Sequence, residues 1–193
     1  MIKQIKSAFY SFVFLTIVTG AAYPLFVTFA TRIFFPEKAD GSIIIKNGKA
    51  VGSSLIGQNF ESPEYFWGRL SATAGSPYNP SCSSGSNIGP ANVLLKQRTL
   101  ARVKTFMDFD AGNKKAMPID LATASASGLD PHISVAGALY QAKRIAFLRQ
   151  IPEDKVIEMI KKHTAGRFLG IIGEPSVNVL ELNLDLDNYK KEV

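Results

Sequence analysis

The longest feature in the pattern of apolar and polar positions is an uncharged run from Ala8 to Thr31, rich in Phe, Val, Leu and Ile. At helical rise such a run is long enough to cross the hydrocarbon core of a bilayer. Lys3 and Lys6 flank its N-terminal side, and basic residues beside a short tail stay cytoplasmic, so the rest of the chain is expected outside. The boundaries read as a cytoplasmic tail over 1–7, a transmembrane helix over 8–35 and an extracytoplasmic domain over 36–193. A cleavable signal peptide is the competing reading, with Gly20, Ala21 and Ala22 as a small-residue cleavage site. The run continues through Leu25, Phe26, Val27, Phe29, Ile33, Phe34 and Phe35, which a spanning helix needs and a signal peptide does not. Pro24 frees one backbone carbonyl inside the helix, for which Thr28, Thr31 or a partner helix are candidate donors. The three small residues before it would let another helix approach closely.

Past the anchor, Ser42 to Ile45 is β-rich, Asn47-Gly48 is the favoured pair for a tight hairpin turn, and Ala50 to Ile56 returns. Ser62 before Pro63 predicts an N-cap and a short helix through Trp67. Ser71 to Pro90 is Ser, Gly, Pro and Asn with almost no large aliphatics, and reads as a long loop. Asn92 to Met107 predicts an amphipathic helix, with Leu95, Leu100, Val103, Phe106 and Met107 set against Lys96, Arg98, Arg102 and Lys104. Asp130 and Pro131 predict the cap and first position of a helix to about Gln150, carrying Ile133, Gly137, Tyr140, Arg144 and Leu148 along one line. Pro152 starts another helix with Val156, Ile157 and Ile160. Val179 to Asp187 alternates apolar and polar residues and predicts a half-buried strand that pairs with the first hairpin. The fold class is therefore α+β: a single N-terminal transmembrane helix, then one extracytoplasmic domain with a small antiparallel sheet and several helices.

Charge and composition narrow the chemistry. The net charge of +6 comes from basic residues scattered among carboxylates, with no stripe interleaved with aromatics, so no nucleic acid is expected as a partner. Cys82 is the only cysteine, so packing without an intramolecular disulfide must hold the domain. Two histidines, His132 and His163, and the lack of HExxH or CxxC spacing predict no metal site. Neither a GxxxxGK[ST] phosphate loop nor an Asp-Lys-Thr-Gly-Thr phosphorylation sequence is present, so the chain is not expected to hydrolyse ATP. A nucleophilic reading draws on Ser125, Ser127, Asp130 and His132, since a serine needs an imidazole base oriented by a carboxylate. It lacks a GxSxG elbow, and makes a membrane-anchored extracytoplasmic serine hydrolase the alternative class, beside a scaffold subunit of an unrelated complex. Asp120, Asp130 and Glu174 are the carboxylates available for acid–base work.

Three separated stretches together carry a more specific likeness. They are Gly52-Ser-Ser-Leu-Ile-Gly-Gln-Asn-Phe60 with Tyr65-Phe-Trp-Gly-Arg-Leu-Ser-Ala72, then Gly85-Ser-Asn-Ile-Gly-Pro-Ala-Asn92, then Asp120-Leu-Ala-Thr-Ala-Ser-Ala-Ser-Gly-Leu-Asp-Pro-His-Ile-Ser134. With Tyr140-Gln141, Arg144, Arg149 and Gly173-Glu-Pro-Ser-Val-Asn178, the chain resembles the C subunit of the Kdp potassium-transporting P-type ATPase over nearly its whole length. It departs at Leu70, where the family usually has Pro, and at Ala126, where Gly is usual.

The resemblance implies a non-catalytic accessory subunit of an ATP-driven potassium importer in the bacterial plasma (inner) membrane. Its implied partners are a channel-like potassium-binding subunit, a P-type ATP-hydrolysing subunit, a small single-helix subunit and the lipid bilayer. No cofactor is expected on this chain alone, with ATP shared with the hydrolytic subunit, whose ATP affinity the family is described as raising through Gln and Ser-Gly contacts. An outside domain would make that effect indirect. Small residues expose backbone and permit close approach, so the loop from Ser83 to Asn92, with Ser86, Asn87, Gly89 and Asn92, and the segment from Ala122 to His132, with Ser125, Ser127, Gly128, Asp130 and His132, are candidate contact surfaces, tight internal turns being the competing reading. Asp120 and Asp130 are candidates for negative potential near a cation pathway, with capping as their competing role. Gln58, Gln141 and Arg144 complete the candidates, each with internal hydrogen bonding as its competing role.

Overall fold

The computed structural model describes residues 2–192, which divide into two compact units between Ser53 and Ser54. In the first, α1 (Ile2–Ile17), a wider π-type turn (Val18–Ala22) and α2 (Tyr23–Phe34) form one continuous apolar helix of 33 residues. At about 1.5 Å per residue it exceeds the roughly 30 Å of a hydrocarbon core. The wide turn lies where Pro24 lacks a backbone donor: the Tyr23 N–H reaches five residues back to the Val18 carbonyl. Thr31 does not serve the freed carbonyl, as its hydroxyl donates instead to the carbonyls of Val27 (2.9 Å) and Thr28 (3.1 Å).

After α3 (Pro36–Ala39) comes the expected hairpin, β1 (Ile43–Lys46) and β2 (Lys49–Ser53), antiparallel with Ile43 opposite Ser53 and a bulge after Ile44. Its turn places Asn47 at φ 53° and Gly48 at φ 74°, the pair of left-handed residues that a two-residue hairpin loop demands.

The second unit holds a short 3₁₀ turn (Pro80–Cys82), α4 (Val93–Phe109), α5 (Ile119–Ala122), β3 (His132–Ser134), α6 (Val135–Arg149), α7 (Glu153–Lys162), β4 (Thr164–Ala165), β5 (Ser176–Asn178) and α8 (Val179–Glu192). Its sheet is antiparallel in the order β3-β5-β4, with Ile133 and Thr164 both opposite Val177. Ile133, Val177, Ile145, Ile160, Leu182 and Leu186 are buried together with Phe66, Trp67 and Phe106 in one core. The mixed α+β class and the helices beginning near Asn92 and Pro152 agree with the sequence reading.

Three elements differ from expectation. Val179 to Asp187 is helix, not strand: Val179, Leu182 and Leu186 lie on one face of α8, and the Asn178 side chain caps it by accepting from the Glu181 N–H at 3.2 Å. The strand is the preceding β5, and it pairs with β3 and β4 instead of the hairpin. Asp130-Pro131 does not begin a helix. Asp130 accepts from the His132 N–H at 2.9 Å, residues 132–134 pair with β5, and Ser134 takes the cap of α6 by accepting from Gly137 at 2.9 Å. Finally, Ser62 to Trp67 makes a single turn and then runs extended, because its carbonyls are claimed from elsewhere in the fold.

Candidate functional site

That extended segment, a strap from Ser62 to Leu70, is the skeleton on which the candidate residues hang. A strap through a core leaves backbone groups that must find partners. Arg144 donates to the carbonyls of Pro63 and, at 3.2 Å, Tyr65; Arg149 donates to Glu64 at 3.0 Å. Asn183 takes both the N–H (2.9 Å) and the carbonyl (3.0 Å) of Phe66, and Gln141 does the same for Trp67 at 2.8 and 3.1 Å. Arg102 donates to Gly68 at 2.8 Å, the Tyr78 hydroxyl to Arg69 at 2.6 Å, and the Ser125 N–H to Leu70 at 3.2 Å. Side chains from α4, α6 and α8 thus do for the strap what neighbouring strands do in a sheet.

Gln141 and Arg144 therefore sit inside the domain. Gln141 is fully buried, and the Arg144 guanidinium lies 4.3 Å from the Trp67 ring centre and donates to Gln141 Oε1 at 2.8 Å. Burial lowers the Arg144 pKa to about 10. Arg102, expected on the solvent face of α4, instead turns inward over Phe106, 4.8 Å from its ring centre, and burial lowers its pKa as well. Leu100 and Met107, expected on the buried stripe, are exposed.

Several of the other candidates meet at the far end of the strap. The two segments proposed from their small residues come together: the Ser84 N–H and the Ser83 hydroxyl both donate to the Ser127 carbonyl at 3.0 Å. Gly128 is buried at φ +68°, and a Cβ there would stand 2.7 Å from Thr73 Cγ2 and 2.8 Å from the Ser84 carbonyl. Ser71 binds across to the Gly128 carbonyl at 2.7 Å and accepts from the Tyr78 N–H at 2.8 Å. Tyr78 is the pivot: burial pushes its hydroxyl up to about 12, and a Cβ on Gly57 would lie 2.4 Å from its ring. Half-buried Gln58 lines a small hollow of about 100 Å³ beside Tyr78 and Arg69.

Asp130 joins the strap to this surface through Arg69 at 3.2 Å, and Arg69 also donates to the Ala124 carbonyl at 3.2 Å. Burial pushes the Asp130 carboxyl up, but hydrogen bonds from His132 and Arg69 outweigh it and hold its pKa below the ordinary 3.8. Asp120 binds the backbone N–H and hydroxyl of Ser134 at 2.7 and 3.1 Å and so secures the start of α6. Ser125 Oγ accepts from Gly128 at 2.8 Å, and Ser127 Oγ from Leu129 at 3.1 Å. Asn92 caps α4 through the Leu94 N–H at 2.9 Å; its own N–H binds the Gly89 carbonyl, and exposed Asn87 adopts φ 50°. Ser86, together with Leu70, Thr73, Thr99 and Arg102, lines a cleft of about 490 Å³ along α4. Tyr78, Arg69 and Arg102 were not among the sequence candidates; Arg69 alone stood in a motif noticed for its likeness.

These features define a protein with one N-terminal helix long and apolar enough to cross a membrane and a small α+β unit whose polar residues mostly brace its own backbone. The family described as "KdpC: K+-transporting ATPase, c chain" matches residues 5–188. A "Potassium-transporting ATPase KdpC subunit" from Ralstonia nicotianae is 52% identical over 186 residues, covering 96% of this chain and 91% of the relative. One from Dechloromonas aromatica is 54% identical over 180 residues, covering 93% and 94%. One from Methylococcus capsulatus is 50% identical over 187 residues, covering 97% and 98%. The chain belongs to the KdpC family.

Proposed function

We propose that this chain is the accessory, non-catalytic subunit of a potassium-importing ATPase, anchored by Ile2–Phe34, with its second unit outside, docked over the outer mouth of a channel-like subunit. In this role it stabilises the assembly and helps present or retain potassium, and any effect on ATP affinity in the hydrolytic subunit passes through the complex. The observation that carries the reading is the joined surface of Ser83–Asn92 and Ala124–Asp130. It is fixed from behind by Tyr78, Ser71 and Asp130, and so offers backbone-rich, rigid contact area to a partner. Among the described residues no hydrogen bond joins Ser125 or Ser127 to His132, and both Oγ atoms accept N–H bonds of their own loop, which supports a structural role over nucleophilic catalysis. The basic flank of Lys3 and Lys6 supports the outside placement.

Two measurements test it. A reporter fused after the last residue is expected to be active only outside; activity only in the cytoplasm overturns the orientation. Complexes assembled with and without the chain are expected to differ in apparent potassium affinity and in yield of intact assembly; indistinguishable complexes overturn the accessory role.

A further inference from the structure

The turn joining β4 to β5 presents large apolar side chains to solvent: Phe168 is 69% exposed, Leu169 78%, Ile171 81% and Ile172 64%. Between Arg167 and Glu174 no side chain carries a hydrogen-bonding group. Part of the backbone is satisfied within the turn. The Phe168 N–H binds the Ile172 carbonyl at 2.8 Å, the Ile172 and Ile171 N–H groups bind the Phe168 carbonyl at 3.0 and 3.1 Å, and the Gly170 N–H binds Arg167 at 3.1 Å. Leu169 is held at φ 52°, a left-handed conformation that a branched apolar residue adopts at a cost, while its side chain gains no burial in the domain. At the base, Arg167 grips both carboxylate oxygens of Glu174 at 3.0 Å.

We propose that this turn is an interfacial membrane contact, dipping its apolar tip into the headgroup–acyl boundary of a phospholipid bilayer. The inference goes beyond partner docking and rests only on the N-terminal helix being embedded. The headgroup–acyl boundary suits a segment whose side chains are apolar and whose backbone groups not bonded within the turn, here the carbonyls of Leu169, Gly170 and Ile171, still meet interfacial water. Protein hot spots draw instead on Trp, Tyr and Arg seated in pockets, and this tip has none of them between its two charged ends. A bilayer is also the surface to which the chain is already tethered, so a weak insertion acts at high effective concentration.

The test uses the full chain assembled with its partner subunits in phospholipid vesicles. With Cys82→Ser as background, Ile171→Cys and, separately, Leu169→Cys carry a polarity-sensitive fluorophore, with Glu158→Cys on the exposed face of α7 as control. Lipids brominated near the headgroup end of the acyl chain are the quencher. Both tip positions are expected to shift to the blue and to be quenched at least twofold, with the control unchanged. Fluorescence like that of the control places the tip in water and overturns the proposal. A blue shift without quenching by brominated lipid places it against a protein subunit and overturns it equally. Loss of the potassium-affinity effect with tip quenching intact would instead count against the docking role alone.

Discussion

The strap from Ser62 to Leu70 and the turn from Arg167 to Glu174 are both irregular chain, yet they meet the needs of a peptide backbone in opposite ways. The strap buries its own Phe66 and Trp67 in the core beside Phe106, and its backbone borrows donors and acceptors from residues as far as 117 positions away. The turn is apolar and exposed, and the backbone hydrogen bonds it makes span no more than six residues. A buried segment can rely on distant polar side chains because the fold holds them in place. An exposed segment can leave its remaining groups to solvent.

The sharpest way to break the strap is Arg144→Leu, which strips the half-buried carbonyls of Pro63 and Tyr65 and the buried Gln141 Oε1 of a donor. About 3–5 kcal/mol of stability should be lost, since each buried acceptor left bare costs roughly 1–3 kcal/mol. Trp67, the single tryptophan, lies in the strap and makes its own fluorescence the readout during denaturant unfolding in micelles. Arg144→Lys should recover less than half, because a point charge cannot bridge the same carbonyls. Next comes Gly128→Ala, which forces a Cβ into Thr73 and the Ser84 carbonyl at a left-handed residue. A loss of about 1–3 kcal/mol is expected, together with faster proteolysis of the loop around Ser84.

Asp130 gives a pH dependence of smaller size. Its folded pKa lies below 3.8, so its contribution is complete above that value and disappears as pH falls through the folded one. Stability measured downward from pH 4 should therefore fall more steeply in the natural chain than in Asp130→Asn; parallel curves would remove Asp130 from the bracing network. The smallest effect belongs to the turn: Leu169→Ser should change unfolding by less than about 0.5 kcal/mol, because nothing in the domain covers that side chain. A larger loss would show that the tip packs inward.

The same contrast explains which parts of the molecule were legible in the chain. The hairpin was, because Asn47-Gly48 dictates its turn locally, and α4 was, because Asn92 caps it within two residues. The strap was not: Ser62-Pro63 reads as a helix start until Arg144 and Arg149 take the carbonyls. The terminal leucines satisfy period two and period 3.6 alike, and the choice fell to Asn178 as cap and to a sheet already completed by β3 and β4. Of the candidate site, the small-residue segments were found from composition. Their bracing by Tyr78 and Arg69 was not, since a tyrosine in a Ser- and Pro-rich loop gives no local sign of burial.

The wide turn at Val18–Ala22 has a consequence for how the membrane helix meets its neighbours. One residue beyond regular winding rotates all that follows by roughly 100° about the axis, so Phe12 and Phe29 occupy azimuths that no single helical wheel predicts. The anchor behaves as two rods in series with separately set bearings. Deleting Ala21 would put both back on one wheel and swing half of the lipid- or partner-facing side chains away from their stations, without altering the hydropathy of the span.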